Sequence, residues 1–227
     1  MNPIRRTRLG DNRVDTSRWL AGVAASLGIL LYIVSAAHAQ QTAMVHLEAL
    51  GRSLRSQPVW TAEYHQEYLS VGLTIPEVTD GLVWVAWPDQ AHFRFGHPEV
   101  RRLGLDGRLV RLVDFDLPSC DDHLLSDDEW ARIPLAPVLD PNAALDRFTV
   151  IDLSGEGFVL VPREPGGVAR LEVELGPDGL PVRVTIVDPQ GAVNRLDFRD
   201  WRPALDSPEG GWLPPPPDGV ECVYDVE

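Results

Sequence analysis

Two short runs, three histidines and a pair of cysteines in this 227-residue chain hold residue types that could do chemistry. Cys120, Asp121, Asp122 and His123 bring three kinds of metal ligand into one run, but residues adjacent in sequence rarely converge on one ion, so no metal is expected there. Ser154 lies in "LSGEG", where it precedes the first glycine instead of standing between two, so the nucleophile elbow of a hydrolase is missing. His65, His92 and His97 fall on extended segments with no Ser or Cys pattern to form a nucleophile pair. No phosphate-cradling glycine loop is found. The expectation is a protein that is not an enzyme, with no catalytic residue and no cofactor. Cys120 and Cys222 are the two cysteines. Their even number permits one disulfide, worth ~4–5 kcal/mol in the chain-entropy model, and it permits equally two buried free thiols.

The first residues read as an export leader. Arg5, Arg6, Arg8, Arg13 and Arg18 precede the apolar run "WLAGVAASLGILLYIVSA", and "AHA" ends at Ala39 with small residues around the cut. Cleavage after Ala39 by the general export route is expected, with an uncleaved anchor as the alternative, since the run is almost long enough to span a bilayer. Residues 40–227 then make a single domain large enough for its own core. The chain carries a formal charge of −14, and losing the basic leader makes the remainder more acidic. Such a surface repels phosphate backbones and anionic headgroups, which excludes nucleic acid as a partner.

The mature chain opens with an amphipathic helix over residues 42–56, where Leu47, Leu50 and Leu54 recur at helical spacing. From Val59 the period becomes two. Trp60, Ala62, Tyr64 and Tyr68 alternate with Thr61, Glu63, His65 and Glu67. Further on, Leu171, Val173 and Leu175 alternate with Arg170, Glu172 and Glu174, then Val182, Val184 and Ile186 with Arg183 and Thr185, then Leu196 and Phe198 with Arg195, Asp197 and Arg199. These are strands with one wet and one dry face. The turn signals "SGEG", "EPGG", "GPDG" and "DPQG" separate them as an antiparallel meander. Ser126 and Glu129 form a capping box, and Pro134, Pro137 and Pro141 allow only short helical turns after it.

A sheet with one apolar face therefore has a single helix and a proline-cut segment to cover it. If these pack permanently they close an ordinary core; if they hinge, the face becomes a cavity for something greasy. The run Pro214–Pro217 before "DGVECV" cannot sit inside a central strand, because proline has no N–H to give. Something must receive the short strand that follows it.

Taken in order, these segments resemble the periplasmic outer-membrane lipoprotein carriers, the LolA-like proteins. The stretches are "LEALGRSL" with "VWTAEYHQEY", then "GLVWVAWPDQAHFRFGHP", the turn Asp106–Gly107, "FTVIDLSGEGFVLVPRE", "LEVELGPDGLPVRVTIVDPQGAVNRLDF" and "PPPPDGVE". The chain departs from the family pattern at Trp87, where an Arg often precedes the proline, at Ala91, where an aromatic is usual, and at Val110 and Leu112, which replace a Trp and a Tyr.

The resemblance implies an α+β fold, mainly β, in which a strongly curved antiparallel sheet forms a half-open barrel under a helical lid, with the last strand near the N-terminal helix. It implies an apolar ligand cavity lined by Trp60, Tyr64, Trp84, Phe93, Phe95, Phe158, Leu160, Leu171, Val173, Val184, Ile186, Leu196 and Phe198. Trp87, Leu135, Val138 and Leu139 would serve the lid or a docking surface, with the inward member of the Trp84 and Trp87 pair left open. The implied function is a monomeric periplasmic carrier of lipoprotein acyl chains or a related amphiphile, passing cargo from an inner-membrane transporter to an outer-membrane acceptor. A lipid-sensing regulatory module on the same fold is the alternative.

Overall fold

The computed structural model describes residues 41–126, 129–130, 139 and 145–225. The expected leader, and Leu135 and Val138 of the expected lid, lie outside them. Helix α1 spans 41–55 and buries Ala43, Leu47, Leu50 and Leu54, the apolar stripe extended by one residue at its start. Fully burying each leucine is worth ~1.5–3 kcal/mol. On its exposed side Glu48 and Arg52 pair one turn apart at 3.9 Å. The helix stops shortly before Pro58, where the Ser56 N–H and hydroxyl both donate to the Ser53 carbonyl. Among the described residues no helix is long and apolar enough to cross a membrane.

Twelve strands follow: β1 (Trp60–Leu69), β2 (Glu77–Ala86), β3 (Gln90–Phe95), β4 (Arg101–Asp106), β5 (Leu109–Asp114), β6 (Ser119–Leu124), β7 (Phe148–Asp152), β8 (Gly157–Pro162), β9 (Arg170–Leu175), β10 (Pro181–Val187), β11 (Val193–Pro203) and β12 (Val223–Asp225). They form one sheet in the order β12-β6-β5-β4-β3-β2-β1-β11-β10-β9-β8-β7. Two meanders, β1 to β6 and β7 to β11, thus join through the pairing of β1 with β11. The turn signals read from sequence fall between β7 and β8, β8 and β9, β9 and β10, and β10 and β11.

The sheet is open and uncurled, with β7 and β12 as its edges, and not the strongly curved half-open barrel expected. No pairing joins its two ends, β12 being a strand of three residues hydrogen-bonded to β6. The last strand finds its receiver in this sheet. β12 does join the sheet, at its edge, where it pairs parallel with β6 in the register Val223 to Asp121.

The route to β12 explains the prolines. Residues 212–214 lie against the face opposite α1, over β3, β4 and β5, where His92 Nδ1 donates to the Trp212 carbonyl at 3.3 Å and Arg111 to the Pro214 carbonyl at 3.4 Å. Lacking N–H groups, prolines can cover a sheet face without leaving donors unpaired. The approach is close: a Cβ at Gly104 would stand 2.2 Å from the Trp212 carbonyl oxygen, so only glycine admits the strap. A disulfide between Cys120 and Cys222 fastens its end to β6, deciding between the two readings of the cysteines.

His92 is fully buried beneath this strap, and burial lowers its pKa from 6.5 to about 4. The unfolded chain therefore takes up a proton that the folded chain refuses. The stabilisation is fully present above pH 6.5 and is lost as pH falls towards about 4. His92→Asn, which keeps a donor near the Nδ1 position, is expected to flatten the pH dependence of the urea midpoint across that window. An unchanged slope would mean that His92 does not report on the strap.

Candidate functional site

The apolar face of the sheet is built around Tyr64. Across the strands Tyr64 stands opposite Phe198 on β11 and Gly81 on β2. Its ring lies over Gly81, where a Cβ would come within 2.7 Å of the phenol carbon, and its hydroxyl donates to the Arg94 carbonyl at 3.2 Å. Burial raises the phenol pKa well above its ordinary value. Phe93 and Phe95 meet the ring edge-on at 5.7 and 6.0 Å. Such edge contacts add ~0.5–1.5 kcal/mol each beyond burial and hold the rings in place.

Most of the residues expected to line a cavity share this face. Tyr64, Phe93, Phe158, Leu160, Leu171, Val173 and Val184 are buried in one cluster with the stripe of α1, and Leu139 joins them. Trp60, Phe95, Ile186, Leu196 and Phe198 are half-buried at its margin. Trp84 is a correction. It stands opposite Thr61 and His92 on the other face, edge-on to the His92 ring at 5.8 Å and under the Arg94 guanidinium at 4.9 Å.

Trp87, in the turn after β2, packs against the apolar cluster, and the Arg55 guanidinium of α1 lies 4.8 Å from its ring centroid. The cation is thus supplied by the helix and the surface by the turn after β2, a cation–π contact worth ~0.5–1 kcal/mol where exposed. Trp201 was missed because alternation from Phe198 places it on the wet face. A bulge where β11 passes β1, with Asp200 at φ 56°, shifts the parity. Trp201 then stacks on Phe198 at 5.5 Å and donates to the Pro181 carbonyl at 2.7 Å. A second bulge between Pro181 and Arg183 turns Val182, expected inward, out to solvent.

The segment after β6 begins as the capping box requires. The Ser126 N–H donates to Glu129 Oε2 at 2.7 Å and the Glu129 N–H to Ser126 Oγ at 3.2 Å. Hydrogen bonds from Ser126, then from His123, hold the Glu129 carboxyl down at about 2. Trp130 next packs against the cluster beneath the Arg108 guanidinium at 4.8 Å.

The opposite face is ionic. Arg195 joins Glu67 and Asp197, and Arg183 joins Asp197 at 2.5 Å and Glu174 at 3.4 Å. The cysteine sulfurs and the Asp122 carboxylate lie within 4.8 Å of one another. The sulfurs are bonded to each other, however, and both Asp122 oxygens accept from Arg111 at 2.6 and 2.7 Å. These groups are already engaged and offer no ligand set.

A family model described as outer membrane lipoprotein carrier protein LolA matches residues 56–208, from the end of α1 through β11. The chain belongs to the LolA family. The match stops short of "PPPPDGVE", so the strap and β12 lie beyond it. Among solved structures, a LolA superfamily protein from Nitrosomonas europaea is 11% identical, with a TM-score of 0.44 over 75% of this chain and 97% of that one. A DUF1329 family protein from Desulfovibrio piger is 9% identical, with a TM-score of 0.44 over 74% of this chain and 95% of that one. A chain of the Pseudomonas aeruginosa MucA/MucB complex is 16% identical, with a TM-score of 0.42 over 74% of this chain and 59% of that one. No curated protein matches the sequence.

Proposed function

We propose that this LolA-family protein is a periplasmic carrier that holds the acyl chains of a lipoprotein, or of a related amphiphile, and moves them from the inner to the outer membrane. The observation that supports the reading most is the asymmetry of the sheet. One face carries an ion-pair lattice and a proline strap. The other is apolar from β3 across to β7, with α1 and Leu139 seated on it and a margin of half-buried Phe95, Leu103, Ile186, Leu196, Phe198 and Trp201. A lipid tail gains ~0.8 kcal/mol for each CH₂ buried on such a surface, and the margin gives it a place to begin. The reading of residues 1–39 as an export leader supports the same proposal, since acylated cargo must cross the compartment to which such a leader directs a chain.

Delipidated protein is expected to bind a fluorescent acyl probe or a triacylated lipoprotein at about one to one, with the negative heat-capacity change of apolar burial. Trp87→Ala, which removes the surface facing Arg55 of α1, is expected to weaken that binding about two- to fivefold with little change in its dependence on salt. Absence of binding by the folded protein would sink the carrier reading. Intact probe binding by Trp87→Ala, with transfer from the inner-membrane donor lost, would assign Trp87 to docking.

A further inference from the structure

We propose that the hairpin tip between β1 and β2 inserts into a zwitterionic phospholipid surface. From Tyr68 to Pro76 the sequence "YLSVGLTIP" contains no charged residue, in a chain that is 24% charged. Val71, Leu73 and Ile75 are 59, 55 and 79% exposed, so these aliphatic side chains stand in water. The tip is built to hold them there. β1 and β2 pair along their whole length up to Tyr68 and Glu77, and Leu73 N–H donates to the Ser70 carbonyl at 3.1 Å to close the turn.

The occupant follows from area and charge. Three side chains at a hairpin end fall far short of the ~800 Å² per partner that a stable protein interface needs, whereas a bilayer accepts aliphatic groups without shape complementarity. Beside the tip lies a recess of about 370 Å³, whose apolar wall includes Leu69 and Pro76 and whose polar wall is Glu67, Glu174, Arg183 and Arg195. Both signs are present and paired, Arg195 with Glu67 and Arg183 with Glu174, so this wall offers no net positive charge that would favour an anionic headgroup over that of phosphatidylethanolamine or phosphatidylcholine. The chain's charge of −14 opposes an anionic surface. The inference stands apart from the acyl-cargo reading, because the tip carries no residue of the apolar cluster.

The test is flotation of the full mature protein with vesicles of phosphatidylethanolamine and phosphatidylcholine, with and without phosphatidylglycerol. Wild type is expected to float with the zwitterionic vesicles, and less as phosphatidylglycerol is added. Leu73→Ser/Ile75→Ser is expected to lower the partition coefficient about tenfold or more while leaving the unfolding midpoint and acyl-probe binding unchanged. Should the double variant prove unstable, Ile75→Ser alone, at the most exposed of the three positions, carries the same expectation at about threefold. No flotation of wild type, equal flotation of the variants, or stronger binding to anionic vesicles would overturn the proposal. So would a tip needed only for association with a membrane protein.

Discussion

Replacing Cys120 and Cys222 together by Ser is expected to lower the unfolding free energy by about 4–5 kcal/mol. The bond joins residues 102 apart in sequence, and the enclosed chain contains β7 through β11. In the reduced unfolded state that whole meander is released from a loop constraint, which makes the long closure one of the more stabilising kinds in the entropic account. The native side of the comparison changes less, because the strap keeps its hydrogen bonds from His92 and Arg111 and its seat over Gly104. Denaturant unfolding of the double variant should therefore match that of wild type held under dithiothreitol, and both should fall well below oxidised wild type. A difference under about 1 kcal/mol would mean that the strap, not the covalent bond, secures β12.

Leu50→Ala is expected to cost about 3 kcal/mol, within the range of buried leucine truncations. Leu50 is fully buried in the cluster that α1 shares with Tyr64, Phe158 and Leu171. A helix of four turns cannot slide inward to fill the space while Leu47 and Leu54 hold its neighbouring turns, so a cavity remains and its lining loses contact. Val45 supplies the control on the same helix: it is more than half exposed, and Val45→Ala should change stability by less than about 0.5 kcal/mol. Equal effects of the two substitutions would show that α1 is loosely laid on the sheet. Since cargo is proposed to use this same face, the acyl probe should recover part of the stability lost in Leu50→Ala by filling the void, as any ligand does that binds only the folded state.

Much of the architecture could be read from local pattern. Alternation alone set Trp60, Ala62 and Tyr64 on one face, that of the apolar cluster, and Thr61, Glu63 and His65 on the other, although Thr61 there is buried and not wet. The leucine spacing located α1, the turn dipeptides separated β7 through β11, and the spacing of Ser126 and Glu129 was enough for their reciprocal hydrogen bonds. Each depends on residues within one turn or one strand, where side-chain direction follows directly from backbone period. The family, too, was legible from the order of these segments.

Tertiary structure decided what alternation cannot carry across a break. A bulge inserts one residue and reverses parity, so Trp201, which the sequence reading did not single out, faces inward, and Val182 faces outward against expectation. Trp84 and Trp87 were indistinguishable as apolar residues three apart. β2 ends at Ala86, and only its register with β1 and β3 sends Trp84 to the ionic face while Trp87 leaves the strand for the helix side. The pairing of Cys120 with Cys222, the parallel seating of β12 on β6 and the open edges of the sheet are relations between residues far apart in the chain. No local period encodes them, because they depend on which surfaces are left uncovered once every shorter-range contact has formed. At the C-terminus that surface was Gly104, the one gap on β4 through which a proline strap could pass.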